Sequence, residues 1–105
     1  MEKFDYDKHW QKFINGNIVI TCTFEDKIDL LKFLQNQGYK WNSGNTMLTP
    51  EGELQPWDKH TNKNNNIDST YCYNTHRDKV ITQAHMQYFI DNGKEVVYYR
   101  EDDDF

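Results

Sequence analysis

Cysteine and histidine are the residue types in this chain whose spacing could support nucleophilic chemistry. Cys72 and His76 lie four positions apart, and a thiolate beside an imidazole is the usual arrangement of a cysteine nucleophile. On a regular strand these side chains would lie about 13 Å apart, so they meet only if the chain turns between them. An enzyme built on Cys72 and His76 is therefore the least favoured of three functional hypotheses.

Other catalytic and metal-binding motifs are missing from the sequence. The chain has neither a phosphate-binding glycine loop nor a Gly-x-Ser-x-Gly elbow. No Cys-x-x-Cys or His-x-x-x-His pair is present to start a metal site. The residues that such a site would have to recruit are Cys22, Cys72, His76 and His85. We therefore expect no metal, no cofactor and no catalytic activity.

Aromatic side chains are abundant in a chain that is otherwise polar. They make up 15% of the 105 residues, whereas all hydrophobic residues together make up 36%. Trp41, Tyr71 and Tyr73 are candidates for stacking on a ligand ring, with Lys40 or Arg77 available for a phosphate. This combination supports the second hypothesis, a small-molecule sponge that captures a nucleotide signal. Core packing is the competing explanation for all three rings.

The net charge of −5 is concentrated at the C-terminus. Four of the 17 acidic residues lie in the tail, so residues 1–100 carry 13 acids against 12 bases. A near-neutral body argues against direct nucleic-acid binding, which needs clustered Lys and Arg. The acidic tail spans residues 101–105 and could meet a basic groove on a partner. Its acidic residues are Glu101, Asp102, Asp103 and Asp104.

A long polar loop is predicted over residues 49–68, and Trp57 lies in its middle. A structureless segment of this length inside a small domain is usually either functional or disordered. An exposed tryptophan there would be a natural anchor for a partner protein, whereas a buried one would belong to the core. Trp57 and the four tail acids are therefore the residues predicted to contact a partner.

Local patterns place the elements in the order α-β-α-β-β-β-α-β. The segment Ile18–Phe24 alternates like a strand, and Thr23 can cap a following helix with Asp26 three residues on. Gly38 can end that helix, with Tyr39 closing a Schellman motif. The remaining predicted elements are a helix before Asn15, strand residues at Trp41 and Met47–Leu48 around a turn at 42–44, a hairpin of 70–75 with 80–82, a helix over 84–91 and a strand over 95–100.

These elements predict an α+β fold in a single domain over residues 1–105. We expect a mostly antiparallel sheet of about four to five strands, with two to three helices packed on one face. No 18-residue apolar run is present, and the first residues lack the apolar stretch of a signal peptide. A cytoplasmic protein without membrane contact is therefore expected, either a monomer or a two-fold homodimer.

The segment Leu30–Gly44 contains Gly38-Tyr39-Lys40-Trp41-Asn42-Ser43-Gly44. It resembles small bacteriophage and prophage accessory proteins in which a strand and a helix precede a Gly-Tyr-x-Trp-x-Ser-Gly motif. The resemblance continues weakly into 79–82 and 96–99, covers about half the chain, and implies no common activity.

Accessory phage proteins without catalytic motifs often inhibit host machinery. The first hypothesis is therefore a phage-encoded inhibitor that binds a host defence protein, of the anti-CRISPR or another anti-defence type. A CRISPR effector is one candidate target. This inference is by association and does not follow from the residues themselves.

Overall fold

The computed structural model describes residues 2–55 and 69–99, which form three helices and one six-stranded sheet. The predicted α+β class is confirmed. Trp57 and the acidic tail lie outside the described residues, as does most of the predicted loop. The helices are α1 (Tyr6–Ile14), α2 (Phe24–Asn36) and α3 (Met86–Asp91). The strands are β1 (Glu2–Lys3), β2 (Ile18–Cys22), β3 (Lys40–Trp41), β4 (Ser69–Tyr73), β5 (Val80–Ala84) and β6 (Glu95–Tyr98).

The sheet is mixed, with the strand order β1-β6-β2-β4-β5-β3. The pairs β2–β4 and β4–β5 are antiparallel, whereas β1–β6, β2–β6 and β3–β5 are parallel. The predicted hairpin is β4–β5, in which Cys72 lies opposite Thr82. The sheet differs from the expectation in having six strands, because the short edge strands β1 and β3 carry too few residues to show a period of two.

Helix α2 begins where its capping residue predicts. The Thr23 hydroxyl accepts a hydrogen bond from the backbone N–H of Asp26 (3.3 Å), which satisfies one of the free amide groups of the first turn. Phe24 was expected to end the preceding strand, and this expectation is wrong. It is the first residue of the helix, because the cap at Thr23 already bends the chain out of the sheet.

Helix α2 also ends as predicted, in a Schellman motif. Gly38 has a φ of +96°, in the left-handed region that costs glycine nothing. Its N–H donates to the carbonyl of Gln35 (2.9 Å), and the N–H of Tyr39 donates to that of Leu34 (3.1 Å). The turn places Tyr39 and the following β3 back against the sheet.

The core lies mainly between one sheet face and the helices α1 and α2. Its fully buried members include Phe13 of α1, Leu31 and Leu34 of α2, and Tyr71 of the sheet. The expectation that all helices cover one face is corrected. Helix α3 lies on the opposite face, where its Phe89 is buried and lines a cleft together with Cys72 and Thr82.

Residues 45–55 form a looped segment anchored to α2. The Gln35 side-chain oxygen accepts from the backbone N–H groups of both Met47 (3.0 Å) and Leu48 (2.9 Å). Met47 and Leu48 are buried as expected, but no strand forms around them; Leu48 makes only an isolated bridge with Leu54. None of the described helices is both long and apolar enough to cross a membrane.

Candidate functional site: an aromatic band and a cleft beside the third helix

Helices α1 and α2 hold a cluster of ring contacts at the protein surface. Tyr6 and Trp10, one turn apart on α1, stack with centroids 5.2 Å apart and an interplanar angle of 13°. Phe33 of α2 meets both rings edge to face, at 5.9 Å from Tyr6 and 5.5 Å from Trp10. These are the favourable geometries for aromatic pairs, so the three rings hold one another in place.

The cluster extends in two directions from Trp10 and Phe33. Tyr39 meets Trp10 at 5.8 Å, and Tyr73 of β4 meets Tyr39 at 5.6 Å. On the other side, Phe4 and Tyr99 each contact Phe33. We call this connected set the aromatic band. Its members are Phe4, Tyr6, Trp10, Phe33, Tyr39, Tyr73 and Tyr99.

The aromatic band is only partly buried. Tyr6 is 45% exposed, and Phe4, Trp10, Phe33, Tyr73 and Tyr99 are half-buried where they pack against the core. Tyr39 is the buried member, and burial raises the pKa of its hydroxyl, with smaller contributions from Tyr73, Tyr6 and Asp78. The Lys79 ammonium lies 5.2 Å from the Tyr39 ring centroid at one end of the band. A connected set of half-exposed rings is the composition typical of the centre of protein interfaces.

The second feature is a cleft of about 280 Å³ between α3 and the sheet, which we call the α3 cleft. Its exposed lining is mostly apolar, and it is lined by Gly16, by the turn after β4, and by Tyr88 and Phe89 of α3. Lys94, which follows α3, reaches across with its ammonium group to the carbonyl of Gly16 (2.5 Å). None of the described residues that line the cleft is an Asp or a Glu.

Two predicted ligand-stacking residues belong to the core. Trp41 is 4% exposed and Tyr71 is fully buried, and their rings contact each other at 5.7 Å. Trp41 also lines a shallow cleft of about 250 Å³ with Asn42 and Thr82, so of the two rings Trp41 keeps some contact with the surface. Tyr73 is half-buried, belongs to the aromatic band and also lines the cleft.

The two predicted phosphate ligands lie away from the cleft lining. The Arg77 guanidinium donates to the backbone and side-chain oxygens of Asn42, at 2.6 and 2.9 Å, so the described contacts hold it against the turn after β3. Lys40 is exposed on the edge strand β3. Neither cation therefore lines the cleft to which Tyr73, one of the predicted stacking rings, belongs.

Cys72 and His76 both line the cleft, since the chain turns between them. Burial raises the pKa of the Cys72 thiol, which the Lys94 charge only partly offsets. A raised pKa keeps the sulfur as a thiol at neutral pH, which is the unreactive form. In residues 2–55 and 69–99, no three His, Cys, Asp or Glu side chains group closely enough to hold a metal ion.

Sequence reasoning missed two buried polar residues. His9 of α1 is fully buried, and its Nδ1 accepts from the backbone N–H of Asp5 (2.8 Å). Lys27 of α2 is also fully buried, with its ammonium 5.5 Å from the Tyr71 ring centroid. The helical spacing of the apolar residues could have located these positions on inward faces, but nothing in their residue types signals burial.

No family model, curated protein or solved structure matches this chain. The resemblance to small phage accessory proteins therefore stays a prediction from the motif around Gly38 and Trp41.

Proposed function

We propose that this protein is a phage-encoded accessory protein that binds and inhibits a host defence protein without catalysing a reaction. The observation that carries this proposal is the aromatic band. It joins rings from α1, α2 and the sheet into one partly exposed surface, with Tyr6 as its most exposed member. Because the rings of the band already contact one another, a partner would meet a preformed surface.

Rigid aromatic side chains suit such a role for energetic reasons. They bring large apolar area to an interface and lose little conformational entropy on binding. Rings that already pack on one another lose still less, since their rotamers are set before the partner arrives. Tyr6, stacked on Trp10 and edge-on to Phe33, is the ring that we expect to contribute most to binding.

Charge and the motif resemblance support the choice of partner class. The tail acids Glu101 to Asp104 account for most of the net negative charge of the chain, whereas residues 1–100 are close to neutral. A basic groove of a nucleic-acid-processing defence protein, such as a CRISPR effector, would attract such a tail and hold it by charge. In addition to the aromatic band, Trp57 and the tail remain predicted contact residues.

The test is affinity capture from a bacterial host lysate, followed by measurements with the purified captured protein. Wild type is compared with Tyr6→Ser, which removes an exposed ring, and with Tyr88→Ser as the matched control. Tyr88 is a 60% exposed tyrosine on α3, and its ring meets that of its neighbour Phe89, which is not a member of the aromatic band. We expect a stoichiometric partner whose activity falls on binding, and an affinity loss of about tenfold or more for Tyr6→Ser alone.

Two further variants test the predicted contacts outside the described residues. Removal of residues 101–105 should weaken binding most at low salt, because exposed charge attraction is screened as ionic strength rises. Trp57→Ala should weaken binding at all salt concentrations. Full binding by Tyr6→Ser, Trp57→Ala and the tail deletion alike would rule out all three contact sites.

The enzyme alternative is tested by the reactivity of Cys72. A catalytic thiol reacts quickly with alkylating reagents at neutral pH, because it is ionised. The buried Cys72 thiol has a raised pKa and should react more slowly than free cysteine. Fast labelling of Cys72 that disappears in a His76→Ala variant would instead support a Cys–His pair.

A further inference from the structure

The α3 cleft has a lining that the aromatic band and the proposed protein partner do not explain. We propose that this cleft binds a small ligand that joins a phosphate group to a planar ring, of the mononucleotide class. The inference does not depend on the proposed inhibitor function, because among the described residues that line the cleft only Tyr73 also belongs to the aromatic band.

The hydrogen bonds inside the cleft occupy several acceptor oxygens, whereas some donor groups keep hydrogens that are not used. The Gly16 carbonyl accepts from Lys94, and the Asn74 side-chain oxygen accepts from the backbone N–H of His76 (2.9 Å). The Tyr88 carbonyl accepts from the side-chain amide of Asn92 (2.7 Å). Each bond takes up an oxygen lone pair, while the ammonium of Lys94 and the amide of Asn74 have further hydrogens to donate.

A few donors set in a mostly apolar wall favour a ligand that combines a flat apolar ring with a group rich in acceptors. The hydroxyl groups of Thr75 and Thr82 also line the cleft, and a hydroxyl can turn to donate to a ligand. No described acidic residue lines the cleft, so nothing there repels an anion, although the whole chain carries a charge of −5. Phosphate oxygens match this arrangement, since they accept several charge-assisted hydrogen bonds at once.

The ring of Tyr88 supplies the second half of the site. It lies on the cleft side of α3, is 60% exposed, and is held edge-on by Phe89 at 5.4 Å between centroids. An exposed ring that lines the same cleft as a cationic group can stack on a nucleobase whose phosphate reaches the cation. A volume of about 280 Å³ is near the lower end of the range for small-molecule sites, which suits a ligand as small as a mononucleotide.

The experiment is calorimetric titration of the full chain with adenosine monophosphate, adenosine and inorganic phosphate in turn. We expect adenosine monophosphate to bind with a Kd below about 1 mM, and each fragment alone to bind at least about tenfold more weakly. Lys94→Gln removes the charge but can still donate to the Gly16 carbonyl, so the fold keeps that contact. We expect Lys94→Gln and Tyr88→Ala each to weaken binding about tenfold.

A matched control separates the cleft from the rest of the surface. Lys32→Gln makes the same change at an exposed lysine away from the cleft and should bind like wild type. Amide shifts in NMR spectra should centre on Cys72 and Thr82 when the ligand is added. Undetectable binding at about 10 mM ligand, equal binding of phosphate and adenosine monophosphate, or wild-type affinity in both cleft variants would overturn the proposal.

Discussion

Replacing Gly16 by alanine should destabilise the protein more than the same change at an equivalent helix end. Gly16 follows α1 with a φ of +81°, and a Cβ built on it would lie 2.8 Å from the Cγ2 of Thr75. Gly93 follows α3 with a φ of +78°, and a Cβ there would meet no atom within 4 Å. The two glycines therefore share the backbone conformation and differ in the space around them.

The expected magnitudes follow from these two terms. Placing an alanine in the left-handed region costs about 1–2 kcal/mol, and this cost applies to Gly16→Ala and Gly93→Ala alike. The contact with Thr75 adds an overpacking cost of about 1–3 kcal/mol at Gly16 only. Because about 1 kcal/mol shifts Tm by roughly 4–8 °C in a domain of this size, Gly16→Ala should melt several degrees below Gly93→Ala.

Thermal and urea unfolding of a double-mutant cycle measures the contact directly. Thr75→Ser removes the Cγ2 atom and keeps the hydroxyl, so Gly16→Ala with Thr75→Ser should recover the stability of Gly93→Ala. If Gly16→Ala and Gly93→Ala lose the same free energy of unfolding, Thr75 turns aside without cost. That outcome would refute the reasoning that the turn after β4 is packed tightly on the end of α1.

Three further changes have defined outcomes. Gln35→Leu should lower the free energy of unfolding by about 2–4 kcal/mol and speed amide exchange at Met47 and Leu48, because it removes the acceptor of both hydrogen bonds. Gln35→Glu keeps an acceptor oxygen for both bonds and should stay close to wild type. Equal stability of the two variants would contradict the anchoring role of the side-chain oxygen. Asp5→Ala should cost about 1 kcal/mol in urea unfolding, because the Asp5 side chain caps the first turn of α1, and no change would show that the cap is dispensable. The raised pKa of Tyr39 means that the folded state favours its neutral hydroxyl, so its contribution to stability is complete below about pH 10 and is lost as pH rises through the folded-state pKa. Tyr39→Phe should therefore flatten the alkaline part of the stability curve measured by urea unfolding, and an unchanged curve would show that Tyr39 does not titrate on unfolding.

Local features of the fold could be predicted because they depend on residues a few positions apart. The cap at Thr23, the Schellman motif at Gly38 and the β4–β5 hairpin each need only one short stretch of sequence. Where local reasoning failed, a neighbouring signal competed with it. Phe24 fits the strand alternation, but the cap before it assigns it to the helix.

The candidate sites could be predicted only in part. The abundance of aromatic residues indicated a binding surface, but residue type does not show which rings are exposed. Trp41 and Tyr71, predicted to stack on a ligand, are buried, whereas Tyr6 is exposed and contacts Trp10 and Phe33. Burial depends on which side of the sheet a ring faces and on which helix or loop covers it, and no local period contains that information.

The sequence by itself determined the α+β class, the presence of the three helices and the hairpin, since these follow from capping residues and from periods of 3.6 and 2; the last helix, predicted over 84–91, begins at Met86 because Ala84 pairs in β5. Only the tertiary structure decided the parallel pairing of β6 with β1 and β2, which places the last strand between the first two. The same pairing brings Lys94 to the carbonyl of Gly16 and so forms the cleft. Contacts between such distant residues depend on how strands and helices pack together, which a single sequence read segment by segment does not contain.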